Sequence, residues 1–385
     1  MNIDLFSPQF QEDPYPAYAW LRAEAPVYRE PRYGGYVLSR YADVYAALRD
    51  HDAFSSALGV SPRPVAPGAT GANMTIVTSD PPRHTHLRQL VNRAFTPRTV
   101  EALRPRIGEI IGGLLDELPG REFDAVSAVT TPLPVIVIAE LLGIPPERRA
   151  DFKRWSDALV GTFDAEAGAF APELGEMFVY FSQAFAERKA APRDDLLTAL
   201  TLAEIDGERL NDIELLSFAI ILLVAGNETT TNLLGNLLNV LVDRPNLWET
   251  LRDDRSLVGP AIEEVLRYDS PVQVLARGTT REVEVAGTLI PAGARVLVSF
   301  ASANRDPNEW PEADTFRLDR QLSRHLAFGH GIHYCLGSPL ARLEAEVAMN
   351  ALLDRFRSLG RAAGAGQRLH STVIRGFEHL PVDAR

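Results

Sequence analysis

The chain of 385 residues contains a single cysteine, Cys335. One thiol forms no intramolecular disulfide, and zinc or iron–sulfur sites built from several sulfurs are excluded. Positive charge is also scarce. Lysine and arginine number 39 against 51 acids, a net charge of −12, which disfavours nucleic acid as a general partner. The longest apolar run, Leu215 to Gly226, is interrupted by Ser217 and falls short of a bilayer span, so no membrane partner is expected. The opening Met-Asn-Ile-Asp-Leu has neither the basic nor the apolar region of a signal peptide. With one cysteine, that makes a reducing cytoplasm the expected location. No Gly/Ser-rich linker, low-complexity run or repeat divides residues 1–385, so one domain is expected. There is no Gly-x-Gly-x-x-Gly dinucleotide fingerprint and no flavin domain.

What is present centres on Phe328-Gly-His-Gly-Ile-His-Tyr-Cys335-Leu-Gly337. From about Pro339, Leu340, Leu343, Val347 and Leu352 recur at helical spacing, so the cysteine stands just before a helix. A helix start favours thiolate. Gly329, Gly331 and Gly337 remove Cβ bulk where a flat ligand could approach the backbone. A lone cysteine is more often a small buried hydrophobe. The glycines and His333, read as charged, argue against a packed core here.

The pattern is mostly helical. Helices are expected near 41–50, 84–95, 99–117, 133–142, 147–160, 172–188, 211–243, 246–252, 258–268 and 339–356. Strand-like runs lie at Gly35–Ser39, Val283–Val285, Arg295–Phe300 and Ser371–Ile374. The expected class is mainly α with a smaller β-rich part. The longest helix opens at Asn211 or Asp212, with Glu214 in its first turn, and ends at Asp243-Arg-Pro245. It is apolar on nearly all sides yet carries Glu228, whose burial needs a partner, an arginine being the ordinary one. Thr229 can bond back to the Ala225 carbonyl and, beside Gly226, open a notch in the helix.

The cysteine segment resembles the haem-binding loop of the cytochrome P450 family, Phe-Gly-x-Gly-x-(Arg/His)-x-Cys-x-Gly. All six fixed positions are met, by Phe328, Gly329, Gly331, His333, Cys335 and Gly337. The resemblance runs from Asp13-Pro-Tyr-Pro16 to Leu380-Pro-Val382 and extends to (Ala/Gly)-Gly-x-(Asp/Glu)-Thr at Ala225–Thr229 and to Glu-x-x-Arg at Glu264–Arg267. It implies the P450 fold, with haem b between a long distal helix and a proximal cysteine loop, and Cys335 as the iron ligand. It makes Thr229 the alcohol that orders dioxygen and its waters, and Glu228 the proton-passing acid. It assigns His84, Arg88, Arg277 and His333 to the haem propionates, and Glu264 and Arg267 to a structural brace; Asn227 fills a variable position and decides little.

Helical turns and strand alternation then place Ile221, Val224, Ala225, Gln273 and Leu275 around the distal space, with Val77 from a variable loop. The lining is apolar with one amide, which suits a small, largely apolar organic substrate. The segments 55–78 and 155–180, which would name that substrate, follow no readable pattern. The implied activity is hydroxylation or oxidative demethylation using dioxygen. NAD(P)H would act only indirectly, through a ferredoxin reductase and a ferredoxin. Arginines 83, 88, 93, 98, 104 and 106 face one acid, Glu101, over that stretch, either as a solvated face or as a dock for an acidic ferredoxin. A peroxide-driven or reductive haem-thiolate enzyme and a haem-based sensor are the rivals; Glu228 and Thr229 together disfavour both.

Overall fold

The structure is a computed structural model and describes residues 3–64, 75–92, 97–164, 172–205, 207–321 and 324–385. The long helix, Asp212–Val242, organises it. Its start is fixed by a reciprocal cap: Asn211 Oδ1 accepts from the Glu214 amide (3.1 Å), and Glu214 Oε2 accepts from the Asn211 amide (2.9 Å). At 1.5 Å per residue the 31 residues run roughly 46 Å. Helices Pro132–Leu141, Arg149–Asp164, Pro172–Ala190, Val258–Tyr268 and Ser338–Arg355 pack around it. Length and composition alone would let it cross a bilayer. Here Leu233, Leu234, Leu237, Leu238 and Leu241 are buried against neighbouring helices, the setting of a core helix.

The β-rich part is a five-stranded sheet in the order Val27–Arg29, Tyr36–Leu38, Arg295–Ser299, Val274–Thr279, Phe54–Ser55. Tyr36–Leu38 and Arg295–Ser299 are parallel, and the other pairs antiparallel. In this register Arg277 stands opposite Val296, and Leu275 opposite Val298. A second sheet joins Leu359–Arg361, Pro381–Ala384 and Glu122–Asp124.

Most helices fall where periodicity puts them, with instructive exceptions. The expected 99–117 helix is two, Pro97–Glu101 and Arg104–Asp116, because Pro105 supplies no amide to continue the first and suits the opening turn of the second. The 84–95 helix is Arg83–Asn92, and 93–96 lie outside the described residues. Arg295–Phe300 ends as a strand at Ser299, whose hydroxyl accepts from the Ser302 amide and caps Phe300–Ala303. Ser371–Ile374 is not a strand. The Ser371 hydroxyl accepts from the amides of Val373 and Ile374, folding the segment into a turn with one isolated bridge, Val272 to Ile374. Helices Tyr15–Glu24 and Leu196–Leu202 were not expected.

Candidate active site

The cysteine loop is shaped by backbone chemistry. The Cys335 amide donates to the Phe328 carbonyl (2.9 Å), and Gly329 and Gly331 adopt φ of +69° and +71°. Gly331 is further required because a Cβ there would meet the Leu48 carbonyl oxygen at 2.5 Å. Helix Ser338–Arg355 follows directly. The amides at the helix start favour thiolate as expected, but they do not prevail. Burial pushes the Cys335 thiol up, against the opposing pull of the Gly337 and Ser338 amides and of the Arg88 and Arg342 charges. A half-buried sulfur flanked by two amides and two guanidinium groups is the donor set for a cationic centre.

The second part of the candidate site is the middle of the long helix. Ala225 is exposed and Ile221, Val224 and Thr229 are half-buried, while their neighbours Leu223, Asn227 and Thr230 are buried. Thr229 Oγ1 donates to the Ala225 carbonyl at 2.7 Å, as expected. Glu228 is buried, but its partner is not an arginine. Its Oε1 accepts from Ser156 Oγ (3.3 Å) and Asn227 Nδ2 (3.4 Å), and Lys153 Nζ stands 3.9 Å away. Lys153 is one of only two lysines in the chain, and it also pairs with Asp157. Burial raises the Glu228 carboxyl above its ordinary value; Lys153 opposes this and Asp157 adds to it. Asn227 matters more than its variable position suggested. Fully buried, it donates to Ser156 Oγ (3.1 Å) and accepts from Thr231 Oγ1 (3.4 Å), so it helps hold the acid in place.

The four expected cations come together. The His84 and His333 rings are 4.4 Å apart, and both Nε2 atoms are buried without a hydrogen-bond partner among the described residues. Arg277 is buried with one bond, Nη1 to the Ala276 carbonyl (2.8 Å); burial lowers it to about 10. Arg88 is lowered by burial and His84 by burial and then Arg88. His333 is not the charged base expected: burial, then Arg277, His84, Arg88 and His51, push it down to about 2. The nearby acid, Asp80, is engaged by Ser55 Oγ and the Ser56 amide (3.0 Å). His51, which borders this set, was missed, since a lone histidine after helix Tyr41–Arg49 carries no sequence signal. Orphaned imidazole nitrogens and crowded guanidinium groups with little opposing charge fit a dianionic rim.

Of the expected substrate contacts, Val77 and Ile221 are half-buried against the helical core and Leu275 against the sheet. Gln273 is corrected. It precedes the strand, is fully buried, and its amide nitrogen donates to the Ser371 and Ile374 carbonyls (3.2 and 3.3 Å). Without it the described lining is apolar. Of the two unreadable segments, 65–74 and 165–171 lie outside the described residues.

The Glu264–Arg267 pair is fully buried, with contacts of 2.7 Å from Arg267 Nε and Nη2. Nη1 of Arg267 donates to the Asn304 and Ala313 carbonyls, and Glu264 accepts from the Arg317 amide and Arg320 Nε. Asn304 Oδ1 in turn accepts from the Leu326 amide (2.6 Å), carrying the brace to the cysteine loop. The arginine-rich stretch is less basic than its sequence. Arg83 pairs with Glu214, Arg104 with Glu346, and Arg106 with Glu109 and Glu140, while Arg88 faces inward toward Cys335. Arg93 lies outside the described residues, and exposed Arg98 has no ionic partner among them.

Comparison with known proteins gives this geometry its class. The family model described as Cytochrome P450 matches residues 174–361. The chain is 41% identical to Cytochrome P450 monooxygenase PikC of Streptomyces venezuelae, covering 99% of this chain and 94% of that protein. It is 42% identical to Vitamin D(3) 25-hydroxylase of Pseudonocardia autotrophica, over 98% and 96%. Among solved structures, cytochrome P450 CYP109Q5 from Chondromyces apiculatus superposes with a TM-score of 0.91 at 44% identity, covering 99% of this chain and 98% of that one. The chain belongs to the cytochrome P450 family. It is a haem-thiolate monooxygenase: it binds haem b and inserts one atom of dioxygen into an organic substrate, with electrons supplied, as in the family, from NAD(P)H through redox partners.

Proposed function

We propose that the residues gathered here divide the work of that reaction as follows. Cys335 would hold the haem iron through its thiolate. His84, Arg88, Arg277 and His333 hold the two propionates, replacing the missing counter-charge and hydrogen-bond acceptors of the rim. Phe328, Gly329 and Ala225 would line the bound haem. Haem so held supplies the oxidising chemistry, and the protein supplies ligand, protons and orientation. Thr229 holds its hydroxyl at the distal face by donating to Ala225, which leaves its lone pairs free to order water. Burial raises the Glu228 carboxyl above its ordinary value, which suits it to pass a proton toward the distal space. Ile221, Val224, Val77 and Leu275 offer an apolar wall and no charge, so shape and apolar area select the substrate. A relative named for hydroxylating vitamin D(3) supports that class.

The observation that carries this assignment is the crowding of four basic side chains, two with orphaned imidazole nitrogens and one felt at Cys335, beside the only cysteine of the chain. Thr229→Ala is expected to leave substrate binding in place and uncouple electron use from product, releasing hydrogen peroxide. Unchanged coupling would remove Thr229 from the proton path.

We further propose that the electron donor is a small acidic ferredoxin and that the enzyme works in the cytoplasm. The docking face is narrower than the six arginines suggested. It comprises Arg98, on a short helix packed on the cysteine helix, and the exposed Tyr334 beside the ligand. Reduction by such a partner should slow as ionic strength rises, and a salt-independent rate would argue against a charged dock.

A further inference from the structure

A network below the cysteine loop is not used by the assignments above. Arg342, on the first turns of the cysteine helix, donates from Nε and Nη2 to the two carboxylate oxygens of Glu263 (2.6 and 3.0 Å). Its Nη1 reaches the Tyr334 hydroxyl (3.4 Å), and its guanidinium lies 4.5 Å from the centre of the Phe328 ring. Phe328 and Tyr334 are the two ends of the loop, and the Phe328 carbonyl receives the Cys335 amide. Glu263 is oriented in turn by His325. The Ala327 amide donates to Nδ1 of that ring (3.3 Å), which leaves Nε2 to carry the proton and donate to Glu263 Oε2 (3.0 Å). His325 also packs beside Phe328 with the two rings tilted, centroids 5.9 Å apart.

We infer that Glu263 and His325 are positioning residues for the axial ligand: they fix Arg342 against both ends of the cysteine loop, and the Glu263–Arg342 pair sets the charge that the sulfur experiences. The bidentate fork allows the guanidinium one orientation, and the stack on Phe328 holds its plane. Arg342 reaches Tyr334, the residue before Cys335, and Phe328, whose carbonyl holds the Cys335 amide, so its charge sits beside the ligand. The carboxylate beside it is firmly ionised: burial opposes ionisation, but the bonds from His325 and Arg342 overcome it and hold Glu263 at about 2. The fold thus places a positive group near the ligand and tempers it with a negative one. A more positive field at the sulfur reduces its electron donation and makes the iron easier to reduce; a more negative field does the reverse.

This inference rests on Cys335 being the axial ligand. The test is the ferric/ferrous midpoint potential of haem-loaded protein, measured with the ferrous–carbonyl spectrum of each sample. Glu263→Gln should move the potential in the positive direction and Arg342→Gln in the negative direction. Arg342→Lys, which keeps the charge and loses the fork, should fall between Arg342→Gln and the parent. Loosened packing alone would move all three the same way. Shifts of one sign, or none, in samples that keep the thiolate carbonyl band would overturn the inference and leave the ligand assignment intact. Absence of that band in the parent would instead overturn the ligand assignment. If Glu263→Gln does not fold, the order of the two Arg342 variants decides the matter.

Discussion

At the scale of single residues, the sequence is informative where chemistry is local and silent where it depends on another helix. The Thr229 bond to Ala225 follows from a four-residue spacing and is present. Neither Ser156 nor Lys153 could be assigned to Glu228, because both come from helix Arg149–Asp164, more than seventy residues away. Gln273 went wrong for the same reason: alternation was extended one residue beyond the strand, and the 371–374 turn took its amide. Glu228 carries a definite energetic sign. Its folded pKa is raised, so the folded state is disfavoured as pH rises from the unfolded value of roughly 4.3 through the folded one. Glu228→Gln should therefore unfold at a higher temperature at pH 7–8, by the equivalent of about 1 kcal/mol, with the advantage vanishing below about pH 4. Turnover should fall at the same time. A variant no more stable than the parent at pH 8 would mean the burial cost is already offset by Lys153.

At the scale of elements, boundaries were legible where a cap or a proline sets them. Asn211 and Glu214 mark the start of the long helix in the sequence and in the structure. Helix Tyr15–Glu24 was not expected, although Pro16 stands in its first turn, where prolines are tolerated because the amides lack partners anyway. The Glu-x-x-Arg brace was recognised only through family resemblance. Its fully buried pair, and the four further groups it holds, depend on a loop some forty residues on. Removing one partner of a buried, hydrogen-bonded pair costs about 3–5 kcal/mol. Arg267→Ala should consequently give little folded protein and poor haem retention, read from soluble yield and urea unfolding. A variant within about 1 kcal/mol of the parent would show that the brace is dispensable.

At the scale of the whole molecule, the two ends of the chain are joined by a charge cluster that no local pattern announced. Asp269 accepts from Tyr15 Oη (2.8 Å), Arg375 Nε (2.7 Å) and Arg368 Nη2 (3.1 Å). Arg375 also donates to the Gln11 and Glu12 carbonyls, and Arg305 is sandwiched between the Tyr15 and Tyr268 rings at 3.6 and 3.7 Å. Burial opposes ionisation of Asp269, but Arg368, Arg375 and Arg305 hold it well below the usual carboxylate range. A depressed carboxyl stabilises the fold above its unfolded pKa of roughly 4, and that contribution disappears as pH falls through the folded value. With Glu263 held at about 2, acid unfolding is expected to set in below about pH 4. Asp269→Asn should flatten that acid limb while lowering stability at pH 7, and an unchanged acid limb would assign the transition to other groups. Cys335, the long helix and the clustered cations come from distant stretches of the sequence, so the proposed site depends on the assembled chain. The most direct measurement is the ferrous–carbonyl absorbance spectrum of the purified haem-loaded protein beside that of Cys335→Ser. The account predicts the thiolate-type band in the parent and its loss in the variant. A band that survives the substitution would place the iron on another side chain and contradict the assignment.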